Sequence, residues 1–154
     1  MTADTILRKM AERFGDRMLK SEIRSPRRVY VDIYPKEIVD ITRFLFKELG
    51  FRFNIASGVD DMDGIEILYH FSCDASGVIV SVRAILKDRE NPRIDTITGV
   101  TRSAWWIERK IHELFGVEFD GNSYMRPLLL GDDWPKGVYP MRKSFVVPKR
   151  DSRK

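Results

Sequence analysis

Cysteine is almost missing from this chain of 154 residues: Cys73 stands alone. A single thiol excludes a disulfide framework and a thiolate-ligated zinc or iron–sulfur centre. Histidine is nearly as scarce, with only His70 and His112, and neither sits at a metal-ligand spacing. No apolar run approaches the ~18 residues that span a bilayer. Residues 1–10 are too mixed and charged to form a signal-peptide core. These absences predict a cytoplasmic chain that meets a membrane only through partners. Glycine-rich phosphate loops are also missing, as is any nucleophile with an evident base.

Charge of one sign is not in large excess. The net charge is +4, from 27 Lys and Arg against 23 Asp and Glu, and the two signs are interspersed. That pattern describes a solvated mixed surface. Arg24, Arg27 and Arg28 cluster near a turn, and Lys143, Lys149, Arg150, Arg153 and Lys154 make a basic end. No strand carries the aromatic spacing of an RNA-binding sheet, and no helix-turn-helix pattern accompanies these residues. A nucleic-acid partner is therefore not expected.

What is present is a mixed α+β pattern. Ile6, Leu7, Met10 and Phe14 form one helical stripe over residues 3–14, stopped by Gly15. Residues 18–23 and 28–34 alternate as strands about a Ser25-Pro26 turn. Pro35 opens a helix lined by Ile38, Ile41, Leu45 and Leu49, and Gly50 closes it. Three more strands follow at 51–55, 65–71 and 78–86, with hairpin connections at 58–64 and 74–77. Phe51, Phe53 and Ile55 are expected on one face of the first. Asp60, Asp61 and Asp63 lack the remaining ligands of a calcium loop and read as a solvated turn. The expected fold is a mostly antiparallel sheet of four to five strands with helices packed on one side.

After a polar loop at 87–99, residues 103–115 form a helix ended by Gly116. Ala104, Ile107, Ile111 and Leu114 supply its apolar stripe. Trp105, Glu108, Arg109 and His112 share a second face, and Trp106, Arg109 and Glu113 a third flank. Glu108–His112 and Arg109–Glu113 stand at i,i+4, where a surface pair contributes about 0.2–0.5 kcal/mol. That structural use outweighs acid–base catalysis, which would also need a pocket and a set of substrate-positioning groups. No catalytic, cofactor-binding or metal-binding residue is expected. Residues 1–116 then form one α+β domain and 117–154 a long irregular tail. Prolines and glycines interrupt that tail, yet it holds Phe119, Tyr124, Leu128, Leu129, Leu130, Trp134, Tyr139, Met141 and Phe145. Long structureless segments of this kind tend to be functional. Aromatic and guanidinium groups dominate interfaces, so the tail and its helix are expected to lie against a partner.

The motifs of this last third carry a resemblance. The run 108–121 (ERKIHELFGVEFDG) is followed by Arg126-Pro127-Leu128-Leu129-Leu130, then Asp133-Trp134-Pro135, then Tyr139-Pro140-Met141-Arg142-Lys143. Together they resemble the C-subunit family of NADH:quinone oxidoreductase, the 30 kDa subunit of respiratory complex I. That family extends to energy-converting membrane-bound nickel–iron hydrogenases. Glu113 stands where the family usually has Asp, Asn122-Ser123 where it commonly has His-Pro, and Lys110 where Glu is common. With Leu128-Leu129-Leu130 and Asp133-Trp134-Pro135, these features lean toward the hydrogenase-type branch. The alternative is a conventional 30 kDa subunit of an NADH:quinone oxidoreductase.

The resemblance implies a cofactor-free structural subunit. It would dock on a catalytic subunit similar to the hydrogenase large subunit, beside an iron–sulfur subunit, on the cytoplasmic side of the membrane. Iron–sulfur clusters, and nickel–iron in the hydrogenase-type branch, are expected in those partner subunits. The expected interface residues are Trp105, Trp106, Glu108, Arg109, Glu113, Gly116, Gly121, Arg126, Leu128, Asp133, Trp134, Tyr139 and Arg142, with Trp134 as a buried anchor.

Overall fold

The computed structural model describes residues 1–147. The basic residues Lys149, Arg150, Arg153 and Lys154 lie outside the described residues, as does the end of the expected tail.

Helix α1 (Ala3–Phe14) begins at Thr2, whose hydroxyl oxygen accepts from the Thr5 N–H, and ends at Gly15 with φ 44°. Strands β1 (Met18–Ser25) and β2 (Arg28–Ile33) pair antiparallel. A 3₁₀ turn (Pro35–Glu37), helix α2 (Ile38–Arg43) and a π-turn (Phe44–Glu48) together fill the second predicted helix. Strands β3 (Arg52–Asp61), β4 (Gly64–Cys73) and β5 (Val78–Leu86) complete the sheet, in the order β1-β2-β5-β4-β3. Within this sheet only the β2–β5 pair is parallel. The fold is thus α+β, with a five-stranded, mostly antiparallel sheet.

One face of the sheet carries Val29, Val31, Ile33, Ile65, Ile67, Tyr69, Phe71, Val80, Val82 and Ala84 into the core. The helices cover that face with Ile6, Met10 and Phe14 from α1 and Ile38 and Ile41 from α2. Phe14 meets Phe44 edge-on at 5.3 Å. The opposite face is polar and half-buried, where Arg83 forks onto Asp32 at 2.6 and 2.8 Å.

Three local expectations are corrected. The pairing of β3 shifts between Phe53 and Ile55, so Ala56 takes the core position and Ile55 is exposed. The second hairpin turns at Met62-Asp63, because β3 runs on to Asp61. Its Gly58 lies inside the strand, where a Cβ would come within 2.7 Å of the Phe115 ring. Asp60 is buried rather than solvated.

The last third starts with β6 (Arg93–Asp95), then α3 (Ala104–Phe115) and β7 (Glu118–Asp120). Strands β6 and β7 form a small parallel pair that three-residue, half-polar segments did not announce. Helix α3 adds Ala104, Ile111 and Phe115 to the core, and Val117 and Phe119 are buried beyond it. The segment after Gly116 therefore starts inside the core before it turns to the surface.

Candidate docking surface

Helix α3 places three charged side chains in the interior: Glu108, Arg109 and Glu113 are 0%, 9% and 8% exposed. None is spent on the i,i+4 pair that its spacing suggests; each holds backbone or polar groups of neighbouring segments. The Glu108 carboxylate accepts from the Ile97 N–H at 2.9 Å, from the Thr96 hydroxyl, and from the Asn122 side-chain amide at 2.9 Å. Burial pushes its pKa up, and these three hydrogen bonds oppose the rise. The neighbouring Tyr69 hydroxyl is fully buried, and burial, with the Glu108 charge, drives it well above the ordinary phenol value.

Arg109 donates from Nε to the Arg126 carbonyl and from Nη2 to the Pro127 carbonyl, both at 2.8 Å. One helical turn on, Glu113 accepts from three successive amides: Leu128 at 2.9 Å, Leu129 at 2.7 Å and Leu130 at 3.3 Å. An irregular segment has no ladder of its own, and buried backbone groups must find partners. Arg109 and Glu113 supply those partners, one for carbonyls and one for amides.

The tail returns to α3 further on. The Met141 N–H donates to the Leu114 carbonyl at 3.1 Å, and Arg142 donates to the Phe115 and Arg89 carbonyls at 2.7 and 2.9 Å. Gly116 has φ 73°, and a Cβ there would lie 2.5 Å from the Tyr139 ring, which stacks under Arg142 at 4.7 Å. Only glycine suits both demands. The last clasp is Asp60, which takes the Lys143 N–H at 2.8 Å and pairs with Arg89. Burial works against the charge of Asp60, but the Lys143 N–H and Arg89 outweigh it and hold its carboxyl below the ordinary value.

Other expected interface residues are spread over this clasp. Trp105 is partly exposed and packs on Tyr124 at 5.1 Å, whereas Trp106 is 60% exposed. Arg126 is exposed, Leu128 half-buried and Asp133 exposed. Gly121 has φ 90° beside Thr96. Trp134 is half-buried: its indole N–H donates to the Val138 carbonyl at 2.7 Å, and its ring faces Phe145 at 6.1 Å. The outward apolar side chains of the helix and tail include Trp106, Tyr124, Leu129, Met141, Val146 and Val147. The sequence pattern did not pick out Thr96 or Arg89, and it gave neither Asn122 nor Asp60 a role in the clasp. Nothing local marks these roles, since each acts on a residue at least twelve positions away.

Among the described residues, no group of three or more His, Cys, Asp or Glu is placed to hold a metal ion, and no helix is long and apolar enough to cross a membrane.

This fold and clasp belong with the 30 kDa subunits of complex I-like membrane oxidoreductases. The family model described as "Respiratory-chain NADH dehydrogenase, 30 Kd subunit" matches residues 31–151. The chain belongs to that family. The C subunit of F(420)H(2) dehydrogenase from Methanosarcina mazei is 30% identical over 157 residues, covering 99% of this chain and 98% of the relative. The C subunit of NADH-quinone oxidoreductase from Roseiflexus sp. strain RS-1 is 29% identical over 150 residues, covering 93% and 83%. A chain in the structure of the membrane-bound sulfane sulfur reductase, an archaeal respiratory membrane complex, superposes with a TM-score of 0.82 at 28% identity, covering 93% of this chain and 85% of that one.

Proposed function

We propose that this chain is a structural subunit of the peripheral arm of a membrane-bound, complex I-related oxidoreductase. It docks on the catalytic subunit that resembles the hydrogenase large subunit, next to an iron–sulfur subunit. One observation carries the reading. Trp106, Tyr124, Leu129 and Met141 point outward from a helix and tail whose backbone is tied down by Glu113, Arg109 and Arg142. Large exposed rings and aliphatic groups on a fixed backbone are what an interface core needs.

In this reading the sheet domain carries the surface, helix α3 and residues 117–147 supply most of it, and electrons pass through clusters in the neighbours. The chain binds no redox group and reaches the cytoplasmic side of the membrane through its partners. The near-complete overlap with the F(420)H(2) dehydrogenase relative and the likeness to the sulfane sulfur reductase chain support a parent complex outside the conventional NADH:quinone type. Glu113 and Asn122, set against the usual family residues, also point away from the conventional type, and Leu128-Leu129-Leu130 with Asp133-Trp134-Pro135 lean toward the hydrogenase-type branch.

The test is affinity purification of the tagged chain from its native membranes at low concentration. The wild-type chain brings down the large subunit and an iron–sulfur subunit. Leu129→Asp, which alters an exposed side chain and leaves the Glu113 hydrogen bond to its amide, lowers their recovery about tenfold or more. A chain recovered alone, or one that carries its own flavin or iron–sulfur absorption band, overturns the reading.

A further inference from the structure

Arg109 is a nearly buried cation that forms no ion pair among the described residues. Arg17, Arg83, Arg89 and Arg93 each pair with an acid of this chain. Arg109 instead spends Nε and Nη2 on two carbonyls, and among the described residues its Nη1 has no partner. Glu113, the acid one turn away, is already taken by three amides. The guanidinium lies 5.5 Å from the Trp106 ring centre and 5.3 Å from that of Tyr124. Arg126 stacks on the same Tyr124 at 4.8 Å, and no ion pair joins it to an acid of the described chain. Arg102, equally without an ion pair there, lines a cavity of 320 Å³ on the Trp105 side of Tyr124.

The result is a ladder of alternating rings and guanidinium groups, Trp106–Arg109–Tyr124–Arg126, whose cations form no ion pair among the described residues. A cation taken from water is costly unless an acid meets it, and guanidinium forks bind carboxylates in pairs of oriented hydrogen bonds. Stacked rings hold the guanidinium planes in place while leaving their edges free for such a fork.

We propose that this ladder receives a carboxylate side chain from an acidic segment of the partner subunit. Arg126, the exposed end of the ladder, grips the acid, while Arg109 on the other side of Tyr124 adds its charge to the site. The inference rests on the docking reading above and gives it a chemistry: the partner presents Asp or Glu at this point, within a segment that carries net negative charge. The cations at Arg102 and Arg126 complement that segment.

Two substitutions at Arg126 test it in the intact complex. The Arg126 side chain is exposed and only its carbonyl serves the clasp, so both variants keep the fold, which an unchanged melting temperature of the purified chain verifies. Arg126→Glu sets two acids against each other and lowers recovery of the partner at least tenfold, with the loss deepening at low salt. Arg126→Lys keeps the charge and adds an amine, so a carbodiimide then forms a zero-length amide from position 126 to an Asp or Glu of the partner, read by mass spectrometry. The proposal is overturned if Arg126→Glu is retained like wild type while Leu129→Asp is lost, which leaves docking intact without the acid. It is equally overturned if no carbodiimide link forms from position 126, or if Arg126→Glu loses only its binding to phosphatidylglycerol vesicles, which would make the surface a lipid contact. Failure of the wild-type chain to co-purify at all would instead remove the docking reading.

Discussion

The sheet and the segment after Gly116 solve the same problem with different means. In the sheet, every strand satisfies its neighbour's backbone, and stability comes from the apolar face that the helices cover. In the tail there is almost no neighbouring strand, so side chains from α3 and from the β3–β4 hairpin satisfy the backbone instead. Glu113 serves three tail amides, Arg109 two tail carbonyls and Asp60 the Lys143 amide, while Arg142 of the tail reaches back to the Phe115 and Arg89 carbonyls. The lesson is that buried charge in this chain does the work of secondary structure where prolines and glycines forbid it.

Breaking the two regions should therefore look different. The largest effect belongs to the sheet. Ile67→Ala, at a fully buried position of β4, costs about 2–5 kcal/mol of global stability. Urea unfolding followed by far-UV circular dichroism should show one earlier transition that carries the tail with it. The next effect belongs to the clasp. Glu113→Ala leaves the amides of Leu128, Leu129 and Leu130 without their acceptor, at about 1–3 kcal/mol. That loss is local: limited proteolysis should cut within residues 127–142 while the unfolding of the sheet hardly moves.

The smallest effect sharpens the contrast through pH. Asp60 has a folded pKa below its ordinary value of 3.8, so its contribution is present above that value and fades as pH falls through the folded one. Glu108 has a folded pKa above its ordinary value of 4.5, so its ionisation opposes folding, and acidification through the folded value relieves that opposition. The end of the tail should thus loosen at acid pH while the burial cost of the Glu108 charge is relieved. Hydrogen exchange at the Lys143 amide reports the first, and Asp60→Asn should remove its acid dependence.

Much of this architecture was legible from residue order. The stripe of Ile6, Met10 and Phe14, the alternation of Val29, Val31 and Ile33, and the run at β5 each have one period and one burial pattern, so α1, β2 and β5 could be read directly. The parallel β2–β5 pairing could not, because it joins segments fifty residues apart. Strands β6 and β7 are three residues long with two charged residues each, too short for a period to register. The bulge between Phe53 and Ile55 reversed a face that simple alternation had assigned. At the clasp, the motif drew attention to Glu108, Arg109, Glu113, Gly116, Tyr139 and Arg142, but helical spacing suggested surface pairs. Arg109 and Glu113 instead hold backbone groups of the tail, and Arg142 reaches from the tail to the Phe115 and Arg89 carbonyls; backbone groups leave no mark in a sequence. Trp134 was expected to anchor a partner; its indole N–H is used by Val138 within the tail, and the widely exposed indole is Trp106.

The grip of one carboxylate on three consecutive amides has a kinetic corollary. A segment held in a single register loses little freedom when another protein closes over it, so less of the contact energy is consumed in ordering it. Encounter can then end in the final complex without a search among tail conformations, and the strength of the assembly is set by how slowly it comes apart.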